Sequence, residues 1–390
     1  MDALNLDARY PALSDLRARA KRRLPHFVWE YLDSGTGADR VVARNRAALD
    51  AISFMPAILR GEVEASTETG FLDQNLKMPV GIAPVGMSGL IWPDAERILA
   101  KAAARAGIPY TLSTVASQTP EDVSSALGEN AWFQLYPPRD PEVRRAMLRR
   151  AKDAGFDTVV LTADLPAASR RERQIRSGLT QPPKLTPRIL AQVAIRPAWA
   201  LGMARRGMPR MRLIDDFAPG TKGLTLNNHA GYQLRTVPDW DYLREMRDEW
   251  DGKLIVKGVL DVRDVAPLKM AGVDAIWVSN HGGRQFDGAP VGLHLLPGIR
   301  AETDLPIVFD GAIEGGLDIL RAVALGADLV MLGRGWHYAL GALGDAGPDH
   351  LAHILRSDLI SNMGQMALSA VQDVRGLAID SPPMSPARKL

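Results

Sequence analysis

The chain of 390 residues contains no cysteine, which excludes disulfide bonds, thiolate nucleophiles and zinc–thiolate or iron–sulfur centres. No apolar segment approaches the roughly 20 residues that a membrane-spanning helix needs. The first residues, Met1 to Asp7, also lack the basic and apolar pattern of a secretory signal. These absences favour a cytoplasmic location.

The sequence also lacks a large excess of charge of one sign, because the formal net charge is only +2. No polyanionic partner is therefore expected, and nucleic-acid binding has no motif to support it. The seven histidines show no metal-ligand spacing such as His-Glu-x-x-His. We expect a protein that binds neither a metal nor a nucleic acid.

Short apolar runs recur along the chain with helical patterns between them. Continuous apolar runs are typical of parallel strands that are buried on both faces. The runs are Pro79–Ala83, Pro109–Ser113, Ala131–Leu135, Thr158–Thr162, Lys253–Lys257, Ala275–Ser279, Pro306–Asp310 and Asp328–Leu332. The predicted helices between them include Ala95–Ala106 with Asp94 as its cap, Pro141–Ala154, Asp239–Trp250 and Gly316–Leu325.

Eightfold alternation of strand and helix predicts an α/β fold of the (β/α)8 TIM barrel type. The barrel is expected over about residues 78–345, within a single domain of residues 1–390 that has an N-terminal helical extension. An open, doubly wound sheet is the rival, but no Gly-x-Gly-x-x-Gly follows the first strand.

Polar residues follow the predicted strands at their carboxyl ends, where barrel active sites lie. They are Ser113, Gln134, Tyr136, Thr162, Asp164, Lys257, His281, Asp310 and Arg334. Among them, His281 is followed by Arg284 on a glycine-rich turn. An imidazole can remove a proton while a guanidinium holds a carboxylate through two hydrogen bonds. This pair predicts an enzyme that acts on a carboxylic acid.

The connection between the fourth and fifth strands is unusually long, and we expect a loop of about residues 177–235. Within it, Lys184 to Arg212 contains seven basic residues and no acidic residue, interleaved with Trp199 and aliphatic side chains. Such a segment is typical of contact with an anionic membrane surface. A solvated lid over the barrel mouth is an equally good interpretation.

The motifs together resemble the FMN-dependent α-hydroxy-acid oxidases and dehydrogenases, which include glycolate oxidase, mandelate dehydrogenase and the flavin L-lactate dehydrogenases. The most specific motif is segment 279–285, Ser-Asn-His-Gly-Gly-Arg-Gln. Similarity extends from about Arg22 to about Leu377. Supporting motifs are segments 25–35, 82–87, 133–136, 161–164, 256–258 and 332–334.

The resemblance implies roles for individual residues. His281 is the base, Asp164 is its carboxylate partner, and Tyr136 hydrogen-bonds the substrate or its developing oxyanion. Tyr31, Arg171 and Arg284 bind the substrate carboxylate, and Lys257 lies beside the flavin and stabilises its reduced form. The remaining residues implied for FMN are Pro84, Val85, Gly86, Ser113, Gln134, Thr162, Ser279, Asp310, Gly311, Gly333 and Arg334.

Three positions depart from the family pattern. Glu314 stands where the family has an arginine that meets the FMN phosphate, so we expect backbone amides and Arg334 to hold the phosphate. Val115 replaces a tryptophan that lines the glycolate oxidase pocket and leaves room for a different substrate side chain. Phe286 replaces a leucine, which we interpret as neutral.

The resemblance implies FMN-dependent oxidation of a lactate-like L-2-hydroxy acid to the 2-oxo acid, by a homotetramer. Gly86 and Val115 are more similar to the dehydrogenases than to the oxidases, which commonly have alanine at the first position. We therefore predict a quinone or another respiratory acceptor, with peripheral contact at the inner face of the membrane through residues 184–212.

Three alternatives remain open. One is an oxidase that uses dioxygen and makes hydrogen peroxide. Another is a different FMN barrel enzyme, such as type 2 isopentenyl diphosphate isomerase, although that family lacks the His–Arg signature. The third is a non-catalytic or repurposed binding protein, which Glu314 favours.

Overall fold

The computed structural model describes residues 3–179, 186–217 and 235–380. Within these residues, eight parallel strands pair edge to edge, and the sixth strand pairs with the seventh to complete a closed barrel. In chain order the strands are Val80–Ile82, Tyr110–Ser113, Ala131–Leu135, Thr158–Thr162, Lys253–Val259, Ala275–Val278, Ile307–Asp310 and Leu329–Leu332. The predicted TIM barrel is confirmed.

The register of the strands brings the polar strand ends to the same level. Ser113 lies beside Gln134 in one pair of strands, and Thr162 lies beside Lys257 in another. Because carboxyl ends of parallel strands meet at one rim, these side chains share the mouth of the barrel.

Helices surround the barrel and extend it at both termini. In the described residues the α-helices of the extension are Ala3–Arg9, Leu13–Arg23, His26–Asp33 and Arg40–Asp50. Those of the barrel region are Ser88–Ile91, Ala95–Ala106, Pro120–Val123, Pro141–Asp153, Glu172–Ser177, Pro187–Ala194, Pro197–Arg206, Arg212–Phe217, Trp240–Glu249, Val265–Met270, Gly292–Ala301, Gly316–Ala324 and Arg334–Leu343. Gly347–Gln365 follows the barrel.

The predicted helix Ala95–Ala106 has the expected bounds, but the predicted cap is wrong. Asp94 precedes the helix in a left-handed conformation, and its side chain makes no capping hydrogen bond. Its carboxylate instead accepts a hydrogen bond from Gln118 Nε2 at 2.6 Å, so a tertiary contact replaces the local one.

Large aromatic side chains fill the barrel interior. Trp132 and Trp277 are fully buried and contact each other edge to face, with ring centroids 6.4 Å apart. A hairpin of strands Thr69–Phe71 and Gln74–Leu76 adds Phe71 to the same cluster. Because the interior is filled, the barrel offers its mouth, and not a central channel, to a ligand.

The described part of the long connection folds into three helices, Pro187–Ala194, Pro197–Arg206 and Arg212–Phe217. Trp199 and Met203 are buried, and Trp199 Nε1 donates to the carbonyl of Leu90 at 3.0 Å. Leu190 and Leu201 point to solvent. Lys184, at the start of the predicted basic segment, lies outside the described residues.

Candidate active site

A cavity of about 420 Å³ opens at the carboxyl ends of the barrel strands. Most of the predicted site residues line it. They are Tyr31, Pro84, Val85, Gly86, Gln134, Tyr136, Thr162, Arg171, Lys257, His281, Arg284, Asp310, Gly311, Gly333 and Arg334. Ser113, Asp164 and Ser279 lie behind this wall, where they contact residues that form it.

His281 follows the sixth strand in a left-handed conformation with φ of 56°, and its backbone N–H donates to Ser279 Oγ. Its Nδ1 lies 3.0 and 3.1 Å from the two carboxylate oxygens of Asp164. Gly258 permits this pairing, because a Cβ there would come within 2.5 Å of the Asp164 Cβ. The carboxylate therefore orients the imidazole toward the cavity.

The protonation states of His281 and Asp164 are those that a general base requires. Burial lowers the pKa of His281 and Lys257 lowers it further, and together they outweigh the opposing charge of Asp164. Burial alone would raise the pKa of Asp164, but the interaction with His281, which includes a hydrogen bond, and the charge of Lys257 lower it below its ordinary value. Near neutral pH the site thus holds a neutral imidazole against a carboxylate.

Arg284 is fixed by the C-terminal end of helix His26–Asp33. Its Nη1 donates to the carbonyls of Tyr31, Leu32 and Ser34 at 2.8, 3.3 and 3.1 Å. Burial, Arg171 and Arg334 lower the pKa of Arg284 to about 9. A desolvated guanidinium beside other cations is a strong site for an anion.

Tyr31 lies against this arginine, with the Arg284 guanidinium carbon 5.5 Å from the ring centroid. The Tyr31 hydroxyl donates to the Gly86 carbonyl at 2.7 Å. Tyr136 also lines the cavity, and its backbone N–H donates to Thr114 Oγ1.

Arg171 is held by a residue that the sequence analysis did not single out. Its Nη2 donates to Gln285 Oε1 at 3.0 Å, and its Nε donates to Ser169 Oγ at 3.1 Å. Gln285 belongs to the 279–285 motif, so the signal was present without an assigned role. The structure shows that Gln285 orients the second arginine.

Three buried polar side chains form a row across neighbouring strands. Ser113 Oγ donates to Gln134 Oε1, and Gln134 Nε2 donates to Thr162 Oγ1, both at 2.9 Å. The row fixes the orientation of the Gln134 amide. Ser113 therefore acts on the cavity through Gln134.

Lys257 is the buried cation of this end of the cavity. Its Nζ donates to Ser279 Oγ at 2.7 Å and lies 3.3 Å from Asp310 Oδ2 and 3.9 Å from Asp164 Oδ2. Trp277, which no sequence motif singled out as a site residue, donates from Nε1 to Asp310 Oδ2 at 2.9 Å. Trp277, in the barrel interior, thereby stabilises Asp310, the carboxylate that pairs with Lys257.

Gly86 and Val115 are in close contact across the cavity wall. A Cβ on Gly86 would lie 2.5 Å from Val115 Cγ2, which is too close without a shift of the valine. The absence of a side chain at Gly86 is therefore matched to the residue at position 115.

The other end of the cavity is formed by the loops after the seventh and eighth strands. Gly311, Glu314, Gly333 and Arg334 line it, and helix Arg334–Leu343 begins there. The guanidinium of Arg334 donates to the carbonyls of Leu32, Gly282 and Ser34. Its side chain is therefore bound to main chain, while the first N–H groups of the helix remain for an anion.

His337 connects the two ends of the cavity. Its Nδ1 is 2.8 Å from the Gly333 carbonyl and its Nε2 is 2.7 Å from Ser88 Oγ. Ser88 in turn contacts the Val85 carbonyl at 2.9 Å. Burial lowers the pKa of His337 to about 4, so the ring is neutral and Nδ1 donates to the carbonyl.

In the part of the chain that the structure describes, no three histidine, aspartate or glutamate side chains are grouped so that they could hold a metal ion. Over the same residues, no helix is both long and apolar enough to span a bilayer.

Comparison with known proteins gives a consistent result. The sequence profile described as FMN-dependent dehydrogenase matches residues 20–381. L-lactate dehydrogenase of Pseudomonas aeruginosa is 37% identical over 374 residues, which cover 95% of this chain and 97% of the relative. L-lactate dehydrogenase of Pectobacterium atrosepticum is 38% identical, covering 93% and 95%.

Two solved structures of similar fold are described as mandelate enzymes. A structure described as the monotopic membrane protein (S)-mandelate dehydrogenase superimposes with a TM-score of 0.88 at 30% identity, covering 95% of this chain and 99% of that one. Mandelate oxidase superimposes with a TM-score of 0.78 at 30% identity, covering 94% and 97%.

The residues around the cavity fit an FMN group. Gln134 and Thr162 offer amide and hydroxyl groups to a polar ring edge, and Lys257 supplies a cation beside them. At the opposite end, a helix N-terminus and glycine-rich loops match a phosphate. Glu314, which departs from the family pattern, places a carboxylate at the phosphate end and opposes this fit.

Proposed function

Because the chain belongs to the family of FMN-dependent dehydrogenases, we propose that this FMN-dependent oxidoreductase converts an L-2-hydroxy acid to the 2-oxo acid. The predictions of the family and of FMN from the sequence are confirmed. One observation carries the choice of substrate class: the His281–Asp164 pair and the desolvated Arg284 meet in one cavity. A lactate-like acid matches both groups.

The substrate carboxylate binds Arg284, whose position is set by the three carbonyls that its Nη1 contacts. Tyr31 and Arg171 complete this anion site, and Gln285 keeps Arg171 in place. An incoming carboxylate relieves the repulsion between Arg284 and Arg171, so binding energy orients the α-carbon for reaction.

His281 then removes a proton from the α-carbon or its hydroxyl. Its neutral form is favoured by burial, and Asp164 stabilises the imidazolium that forms. Tyr136 hydrogen-bonds the substrate oxygen. Bound FMN would supply the acceptor for the two electrons and the second hydrogen that leave the substrate. Lys257 places positive charge where that electron density arrives.

The experiment that tests this function is anaerobic mixing of the purified protein with L-lactate and a panel of longer L-2-hydroxy acids. We expect yellow protein whose flavin absorbance is bleached by at least one acid, with formation of the 2-oxo acid. Yellow protein that no 2-hydroxy acid bleaches contradicts the proposal. Colourless protein that ignores added FMN favours the binding-protein alternative.

For the electron acceptor we propose a quinone or another respiratory carrier rather than dioxygen. The support is the tight packing of Gly86 against Val115, the pair that is more similar to the dehydrogenases. Turnover with a quinone analogue should exceed turnover with air-saturated buffer. Stoichiometric hydrogen peroxide at the faster rate would overturn this choice.

We also propose that the protein contacts a membrane surface peripherally through residues 184–212, the predicted basic segment. In its described part, Leu190, Ile195 and Leu201 are exposed near Arg188 and Arg205. Exposed apolar groups beside cations suit an anionic interface. Trp199 and Met203 of the same segment are buried, so the segment also packs against the rest of the protein. The lid interpretation is therefore compatible with membrane contact.

Sedimentation with vesicles tests this contact. We expect binding to vesicles that contain phosphatidylglycerol and weak binding to pure phosphatidylcholine. Replacing Leu190, Ile195 and Leu201 with serine should abolish binding, whereas Met270→Ser, an exposed residue elsewhere, should not. Equal sedimentation of both variants contradicts the proposal.

The remaining proposals concern organisation and location. We propose a single domain over residues 1–390, a homotetramer, and a cytoplasmic protein at the inner face of the membrane. The resemblance to the family supports the tetramer. Light scattering after size-exclusion chromatography would give four chains per particle, and a monomer would contradict this assembly.

A further inference from the structure

The phosphate end of the cavity is closed by the N-terminal extension. Phosphate groups in parallel barrels bind at the loops after the seventh and eighth strands. Here those loops contribute Gly311 and Gly333 on one side. The opposite side of the same end is lined by Ser14, Arg17 and Arg46, which lie on helices Leu13–Arg23 and Arg40–Asp50.

Three guanidinium groups line this end, and two are already engaged. All three nitrogens of Arg334 donate to backbone carbonyls. Arg46 donates from Nε, Nη1 and Nη2 to the carboxylates of Asp50 and Asp318 and to the Ala312 carbonyl. Neither side chain can turn to a phosphate without losing these partners.

Arg17 differs from both. Its Nε and Nη2 donate to the same oxygen of Asp33, at 3.2 and 2.8 Å. Its Nη1 makes no hydrogen bond within residues 3–179, 186–217 and 235–380. The side chain is 50% exposed, so it has room to approach a ligand. Arg17 therefore retains a donor for an oxyanion.

Glu314 acts on the same arginine. Partial burial opposes the charge of Arg17, but the hydrogen bond to Asp33 and the charges of Asp33 and Glu314 raise its pKa. Glu314 lines the same end of the cavity and occupies the position where the family has an arginine. The cation missing from the loop after the seventh strand thus has a counterpart on the N-terminal helix.

We propose that Arg17 is the phosphate-binding cation of this chain, and that Glu314, which lines the same end of the cavity, weakens FMN binding by repelling the phosphate. The inference rests on the FMN part of the proposed function and not on the identity of the hydroxy acid. It assigns the N-terminal extension a direct role in holding the cofactor.

Titration of the flavin-free, full-length protein with FMN and with riboflavin tests the assignment, because riboflavin lacks the phosphate. Flavin fluorescence quenching gives both dissociation constants. Arg17→Ala should weaken FMN binding about 10- to 100-fold, as expected for one charge-assisted hydrogen bond, and change riboflavin binding less than about twofold. Arg22→Ala, an exposed arginine on the same helix, should change neither.

Glu314 provides a second, independent pair of variants. Glu314→Gln should tighten FMN binding about three- to tenfold by removing a like charge, and Glu314→Arg should tighten it further. Riboflavin binding should stay constant in both. This arm stays informative even where Arg17→Ala destabilises the protein through the lost contact with Asp33.

Three outcomes would overturn the proposal. Arg17→Ala could weaken both flavins equally, which shows a structural role through Asp33. It could change neither, which shows that the phosphate is held elsewhere. Unchanged FMN binding in Glu314→Arg shows that this position does not face the phosphate. Failure of hydroxy acids to bleach the wild-type flavin would refute the proposed function and leave this result intact.

Discussion

The two ends of the cavity are built from different kinds of structure. Around His281, Lys257 and Gln134, the polar groups stand on barrel strands or on the turns that directly follow them. At the other end, loops after the seventh and eighth strands face helices from the N-terminal extension. Geometry at the first end follows from strand register, whereas geometry at the second depends on how separate chain segments dock.

The contrast also appears in the charges. Lys257, on the fifth strand, is buried between Asp164, which follows the fourth strand, and Asp310, which ends the seventh. At the phosphate end, Arg17 is half exposed and shares Asp33 with Arg173, which bonds that carboxylate at 3.0 Å. We infer that reaction chemistry is rigidly preorganised and that cofactor affinity is the more adjustable property.

The largest expected effect is at the strand-borne end. His281→Gln should slow flavin reduction about 10²- to 10⁴-fold, because the base is lost, and should leave FMN bound. Anaerobic stopped-flow absorbance measures the rate. The matched control is His353→Gln, an exposed histidine 3.5 Å from Asp7, which should reduce at the wild-type rate. Unchanged reduction in His281→Gln would refute its role as base.

The stability of the fold should depend on pH through His337, which links the segments at the two ends of the cavity. The pKa of His337 is about 4 in the fold, below the ordinary value of 6.5. Between these values the unfolded chain binds a proton that the folded protein does not, so stability is complete above pH 6.5 and falls as pH drops toward 4. The loss is about 3 kcal/mol for a shift of this size.

Chemical denaturation at pH 7.5 and pH 4.5 measures this loss. His337→Gln lacks the titrating group, so the difference in unfolding free energy between the two pH values should shrink by most of that amount. An identical pH dependence in wild type and variant would show that other groups cause it.

A smaller effect, on kcat/KM, is expected at Arg284, which we propose binds the substrate carboxylate. Arg284→Lys keeps the charge but cannot bond three carbonyls and a carboxylate at once. We expect kcat/KM to fall about 10-fold or more, mainly through a higher KM. Arg263→Lys, an exposed arginine, is the control. A fall in kcat at constant KM would argue that Arg284 acts in the chemical step instead.

The smallest effect is expected for a substitution in the barrel interior, at Trp277, and it concerns the free energy of unfolding. Trp277→Phe removes the hydrogen bond from Nε1 to Asp310 and retains most of the ring packing. We expect a loss of about 1 to 2 kcal/mol in unfolding free energy, because a buried acceptor keeps its other partners. Thermal unfolding of the holoprotein measures it. A loss above about 4 kcal/mol would indicate a cavity, and not a hydrogen bond, as the cause.

The sequence by itself determined the barrel and most of the strand-borne site. Continuous apolar runs specify buried parallel strands, and polar residues at their carboxyl ends must converge on one rim, so His281, Lys257 and Gln134 were predictable. The resemblance carried by the 279–285 motif also implied the flavin chemistry, which the motif's residues alone do not specify. Local patterns suffice wherever a short stretch of chain fixes both the element and the direction of its side chains.

The tertiary structure alone decided the contacts between distant segments. Asp94 pairs with Gln118 instead of capping its own helix, and Gln285 orients Arg171 across more than one hundred residues of chain. The approach of Arg17 to the phosphate end likewise depends on the docking of the N-terminal helix against the barrel. Such contacts have no periodicity or spacing in the sequence, because their energy depends on packing that only the folded chain provides.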